Sequence, residues 1–267
     1  MNDDRKPVKV LELAVDVDAS PQEVWKALTT AEGLQNWFPQ AAKVDGTGVG
    51  SVVTFSFGPE MSWPTNVAAW EPGKHLRWSH EDMMGPGTAM LVDFTLTTEG
   101  GKTRLRLVQS AFGACDAWDN FFEGTEAGWT YFLYNLRIYL ETHLGQRRRM
   151  FLGRFEVTLA REAAWKKLLS PAGGLLVATS GDVHAGDGLD LRLQDRVVRA
   201  IVEVILDGRA IAMRLPDLAD SILFVEFEMG QDAYHVGLYL SVYDPARAGE
   251  LEEPYARALQ RLKNALR

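Results

Sequence analysis

Residues 154–174 repeat the pattern of residues 14–34 at a spacing of 140: Val157 falls on Val17, Trp165 on Trp25, Lys166 on Lys26, Leu168 on Leu28 and Gly173 on Gly33. The order persists downstream while the spacing shrinks. Gly186 and Gly188 fall on Gly48 and Gly50 at 138, Gly208 on Gly73 at 135, and Val225, Glu226 and Phe227 on Val92, Asp93 and Phe94 at 133. A spacing that only shrinks is what loop deletions produce in a second copy of one structural plan. The length of 267 residues also exceeds the usual single domain of about 100 to 200. Two tandem copies are therefore expected, over residues 1–145 and 150–267. The polar, basic stretch Gly145–Met150 between them reads as a solvated linker.

The plan of each copy is clearest in the first. Residues 8–18 alternate apolar and polar positions, the period of a half-buried strand. A helix start follows, with Ser20 as N-cap, Pro21 at the first helical position and Glu23 completing a capping box. Val24, Trp25 and Leu28 supply its apolar face, and a second short helix over Ala31–Phe38 ends at Pro39. Strand-like runs at 51–57, 63–70, 75–79, 89–97 and 103–110, separated by Gly-containing turns, predict an antiparallel meander. Over Asp116–Leu144 the period changes. Trp129, Leu133, Leu136 and Leu140 recur at helical spacing, with Phe122 and Glu126 extending the stripe upstream. The expected class is α+β, a curved antiparallel sheet around a long C-terminal helix. In the second copy Tyr255–Leu266, with Leu259, Leu262 and Leu266 on one face, predicts a shorter version of that helix.

Four segments carry a family resemblance: Val17–Thr29, His75–Trp78, Gly100–Leu107, and Gly128-Trp129 continuing to Tyr139-Leu140. Over residues 8–144 the chain resembles the START-like (SRPBCC) superfamily, in the group related to the C-terminal domain of the activator of Hsp90 ATPase. The resemblance implies the helix-grip fold, in which sheet and long helix enclose a cavity that often takes a hydrophobic small molecule.

The two copies do not share an interior. Seven of the eight Trp, and 18 of the 27 aromatic residues, precede residue 150. On the helix-grip plan Trp37, Phe38, Phe55, Phe57, Trp63, Trp78, Phe94, Trp118, Phe122, Trp129 and Leu133 converge on one cavity as candidate ligand-binding residues. Rigid rings leave flat-walled gaps suited to planar or hydrophobic ligands, although plain core packing uses the same residues. Glu126 joins the set because it lies on the apolar stripe. Buried, it would anchor a ligand hydroxyl or amine or act as a general acid; turned outward, it reaches solvent. The second copy, poorer in aromatics, is expected to be a closed support or pairing domain.

Other chemistries find little in the sequence. The 36 carboxylates against 28 basic residues give a net charge of −8, which argues against a nucleic-acid surface. Both halves are mildly acidic, and no apolar run is long enough to span a bilayer. The five histidines show no paired metal-ligand spacing, and the His80-Glu81-Asp82 run alone does not complete a site. Nucleotide loops and a nucleophile elbow are missing, so no metal and no cofactor is expected. The Gly46–Gly50 run opens a strand, so it offers no helix terminus to a phosphate. The lone Cys115 sits beside Asp116, which raises rather than lowers a thiol pKa. With no signal core after the charged start, a cytoplasmic protein is the expectation.

Three functions remain. The first is binding of a hydrophobic or aromatic small molecule in the first copy. The second is a START-like cyclase or hydrolase using Glu126. The third is a co-chaperone-like interaction module, disfavoured because the chain lacks the extra N-terminal domain of the Hsp90 activators. A homodimer is left open.

Overall fold

The structure is a computed structural model that describes residues 9–59, 61–82, 89–110, 116–178, 182–193, 196–229 and 234–267, with the side chains of 116–120 outside that description. The chain falls into two compact units, Met1–Gln146 and Arg147–Arg267.

The first unit opens with strand β1 (Leu11–Val17) and helices α1 (Pro21–Thr29) and α2 (Ala31–Gln35). Strands β2 (Ala41–Asp45), β3 (Val52–Ser56), β4 (Ser62–Glu71), β5 (His75–Glu81), β6 (Ala89–Glu99) and β7 (Lys102–Ser110) then lead to helix α3 (Asp116–Thr142). The sheet order is β1-β7-β6-β5-β4-β3-β2, antiparallel throughout, so the meander closes back on the first strand. The capping box forms as the sequence predicts: Ser20 N–H donates to the Glu23 carboxylate at 2.8 Å, and the Ser20 hydroxyl accepts from Glu23 N–H at 3.3 Å. Those bonds hold the Glu23 pKa below its ordinary value. Two details differ from the sequence reading. Ala27, not Trp25, joins Val24 and Leu28 in the buried face of α1, while Trp25 meets Trp70 edge-on at 5.1 Å. Strand β2 carries too few apolar residues to register as a strand by pattern.

The second unit repeats the plan with one strand fewer. Strand β8 (Arg149–Val157), helix α4 (Arg161–Leu168) and a 3-10 turn (Pro171–Gly173) precede strands β9 (Gly188–Leu193), β10 (Arg196–Leu206), β11 (Ala210–Leu215), β12 (Ser221–Met229) and β13 (Tyr234–Val242), and helix α5 (Pro245–Leu266) closes the unit. Its sheet order, β8-β13-β12-β11-β10-β9, is that of the first sheet without the last strand. The missing strand survives as a single bridge between Leu176 and Leu191. Both units are helix-grip folds.

Strand registers give the repeat a finer alignment than residue matching. Leu13 faces Leu107 as Gly153 faces Leu238, and Phe94 faces Leu107 as Val225 faces Leu238. Gly50 N–H donates to Val67 C=O as Gly186 N–H donates to Val202 C=O. A register shift follows Val67 and Val202 alike. The equivalences Gly50–Gly186 and Phe94–Val225 have spacings of 136 and 131, each two residues from the pairing read in the sequence. A two-residue slip keeps every side chain on its face of the sheet, so alternation cannot detect it. The spacing of 140 for the first strand and of 135 for the β4–β5 and β10–β11 hairpins both stand. The glycines at that first spacing are forced: a Cβ on Gly33 would overlap the carbonyl oxygen of Lys26, and one on Gly173 that of Lys167.

Two further expectations are corrected. Helix α5 begins at Pro245, capped by Asp244, and runs through Pro254. The proline lacks an N–H but leaves intact the buried stripe Ala248, Leu251, Tyr255, Ala258, Leu262 and Leu266. The basic stretch before β8 is not a solvated linker throughout. Arg148 is buried with its guanidinium 3.4 Å from the Ser241 hydroxyl, and Arg149 pairs with Glu252 at 2.7 Å.

Candidate functional site

The inner face of the first sheet, the end of α2 and one side of α3 gather rings around Phe38. This residue follows α2 where Pro39 forbids the helix to continue, and its N–H still donates to Leu34 C=O. The Phe38 ring lies nearly parallel to Trp129 at 5.1 Å and to Trp78 at 6.2 Å, with interplanar angles of 18° and 20°. Phe55, Phe57 and Phe132 meet it edge-on at 5.0, 5.5 and 4.8 Å. Trp37 stacks on it from the same turn at 5.3 Å. Trp63 continues the network by lying parallel to Phe57 at 5.7 Å, and Phe94 by meeting Trp78 at 4.6 Å. Eight of the sequence-predicted residues, from Trp37 to Trp129, thus form one connected cluster, and Phe132 belongs to it unforeseen.

The rest of the predicted set divides. Leu133 is buried on α3. Phe122 is half-buried at the upstream end of that helix, under the Lys9 ammonium at 5.0 Å. Glu126 is also half-buried, and its backbone carbonyl accepts from the Thr130 hydroxyl at 2.7 Å. The Trp118 side chain and Cys115 lie outside the described residues. Among the described residues, no three His, Cys, Asp or Glu side chains gather as a metal site, and no helix is long and apolar enough to cross a membrane.

Two polar residues tie the rings in place. Asn135 on α3 is fully buried and donates to Trp37 C=O at 2.6 Å, while the Trp37 indole N–H donates to Ala27 C=O at 3.0 Å. Gln109, buried on β7, accepts from the Trp129 indole N–H at 2.5 Å. Its position is legible in hindsight, since Leu105, Leu107 and Gln109 share the inward parity of that strand. No such pattern marks Asn135.

The interior of the second unit is different in substance. It is an aliphatic cluster built from residues such as Leu191, Val202, Ile211, Val225 and Leu262. Aromatic contacts within it are sparse, Trp165 to Phe227 at 5.8 Å and Phe151 to Tyr255 at 5.4 Å. The Tyr255 hydroxyl donates to Leu238 C=O at 2.6 Å, and burial pushes its pKa up.

Residues 18–141 match the family model described as "Activator of Hsp90 ATPase homolog 1-like protein". Among solved structures, the Aha1 dimer from Colwellia psychrerythraea is 27% identical, with 51% of this chain and 99% of that one covered at a TM-score of 0.44. DynU16, from the dynemicin biosynthetic locus, is 23% identical over 97% of this chain and 96% of its own, at a TM-score of 0.45. The di-domain ARO/CYC BexL of the BE-7585A biosynthetic pathway is 13% identical over 97% and 98%, at a TM-score of 0.44. No curated protein matches the chain.

Proposed function

Starting from a first unit whose residues 18–141 match the Activator of Hsp90 ATPase homolog 1-like family model, we propose that this unit binds a flat hydrophobic or aromatic small molecule among the rings around Phe38. The observation that carries the reading is the position of that ring. Phe38 sits on a short connection, not inside a helix or strand, and lies nearly parallel to both Trp78 and Trp129. A planar ligand makes the same contacts when it takes the place of the Phe38 ring. Aromatic pairs of this geometry contribute about 0.5–1.5 kcal/mol each beyond burial. The second unit, with its aliphatic interior, acts as a closed support.

The test is a screen of aromatic and lipid-like compounds against the full chain, read by intrinsic Trp fluorescence and thermal melting. Planar aromatic compounds should quench or shift the emission and raise the melting midpoint by mass action. Unchanged emission and melting across the whole library would overturn the proposal.

A further inference from the structure

The aromatic interior has one polar corner whose hydrogen-bonding capacity is unused. Trp78 and His80 lie two residues apart on β5, so their side chains share the inner face about 7 Å apart along the strand. The Trp78 indole N–H is buried, on a residue only 2% exposed, and has no hydrogen-bond partner among the described residues. His80 Nδ1 is likewise buried without a partner among the described residues. Across the sheet, Trp78 faces Val92, which faces Gln109, and His80 faces Met90. Gln109 Oε1 is taken by Trp129, which fixes the amide orientation and leaves Nε2 to donate to the Met90 sulfur at 2.6 Å, a weak acceptor. Trp78 Nε1–H and Gln109 Nε2–H are donors only, and His80 Nδ1 donates in one tautomer.

Buried donors left unpaired are costly, and interiors of folded proteins seldom keep them. A buried indole N–H without an acceptor, beside an imidazole nitrogen that donates in one tautomer and an amide N–H held only by sulfur, is the complement of an oxygen on a planar molecule. Resting on the binding function proposed above, we infer that the ligand carries a hydrogen-bond-accepting oxygen, a ring ketone or aryl carbonyl, which accepts from Trp78 Nε1–H and His80 Nδ1–H while its ring occupies the space of the Phe38 ring against Trp129 and Phe55. A plain aromatic hydrocarbon fills the same space and leaves the donors as they are. An anionic ligand is not called for, because among the described residues of β5, β6 and β7 the lysines and arginines take the outward parity, and Arg77 there binds Asp93 at 2.8 Å.

The experiment compares 2-acetylnaphthalene with 2-isopropenylnaphthalene, near-isosteric molecules that differ in the acceptor oxygen, by titration of the full chain. The ketone should bind about tenfold more tightly, the effect of one satisfied buried donor. In His80→Leu that preference should fall severalfold while the Kd for the hydrocarbon stays within about twofold, and in Trp78→Phe the ratio of the two Kd values should fall severalfold whatever happens to each. His80→Leu leaves the ring cluster intact, so it reads the effect even where Trp78→Phe disturbs packing. Equal affinity of wild type for the two molecules would overturn the inference and leave the binding function standing. Binding of neither would overturn both.

Discussion

At the scale of single residues, Phe38 and Gln109 separate packing from binding. Phe38→Ala removes the central ring of a buried cluster and should cost about 3–5 kcal/mol in urea denaturation, the range for such truncations. The same variant vacates the space a planar ligand would fill, so its affinity for naphthyl ketones should rise; a loss of affinity would mean that the ring helps to hold the ligand. Gln109→Leu leaves the Trp129 indole N–H buried without an acceptor, at an expected cost of about 1–3 kcal/mol by the same measurement. Glu126 has a different standing. Its side chain is half-buried on the upstream part of α3 and shares no ion pair with a described residue, so Glu126→Gln should leave ligand affinity within about twofold of wild type. The clustering of the aromatic residues was readable because large rings at alternating strand positions and helical spacings declare the inner face. Phe38 is among them as the end of a helix expected over Ala31–Phe38, but its place as hub was not readable, because α2 stops at Gln35 and Phe38 lies past it, where neither period applies.

At the scale of elements, the repeat is carried by geometry that sequence matching touches only in places. The two tight glycines after α1 and α4 are its most local mark. Gly33→Ala and Gly173→Ala should each destabilise by roughly 1–3 kcal/mol, because the new Cβ meets backbone and something must shift. A neutral outcome at both would remove the shared helix–turn packing from the account. In the second sheet, β12 carries a carboxyl with no counterpart in the first. Glu226 is buried, and desolvation, followed by the neighbouring Glu228, raises its pKa well above the ordinary 4.5, against the opposing pull of Arg209 and Arg154. Tyr239, whose hydroxyl donates to Glu228 at 2.7 Å, lies against the same group and is itself raised by burial. The folded chain therefore holds the Glu226 proton more tightly than the unfolded chain does. That contribution is complete below the unfolded value and is lost as pH rises through the folded one. The melting midpoint of Glu226→Gln should exceed that of wild type by a few degrees at about pH 8 and converge with it toward about pH 4. Parallel curves would contradict the assignment. The buried glutamate was invisible in sequence because it takes an outward position of β12, where alternation predicts solvent.

At the scale of the whole molecule, the chain is two helix-grip units that differ in what fills them. The order of elements in the first unit could largely be read from the sequence because most elements carry a local signal, such as the Ser20 capping box or the α3 stripe, and the helix-grip plan is what the family resemblance of residues 8–144 implies. What could not be read is where signals cancel. Strand β2 has shrunk to the Leu176–Leu191 bridge in the second unit, helix α5 passes through Pro254, and two-residue slips in the alignment preserve every inside and outside face. The contrast between interiors also provides a built-in control, since Trp165 lies in the second unit and the other seven indoles in the first. The most direct measurement is the indole N–H spectrum of the ¹⁵N-labelled full chain during titration with 2-acetylnaphthalene. The account predicts that Trp78 and Trp129 move together, with Trp78 shifting downfield as its N–H finds an oxygen, while Trp165 stays in place. A spectrum in which no first-unit indole moves, or in which Trp165 alone responds, would contradict it.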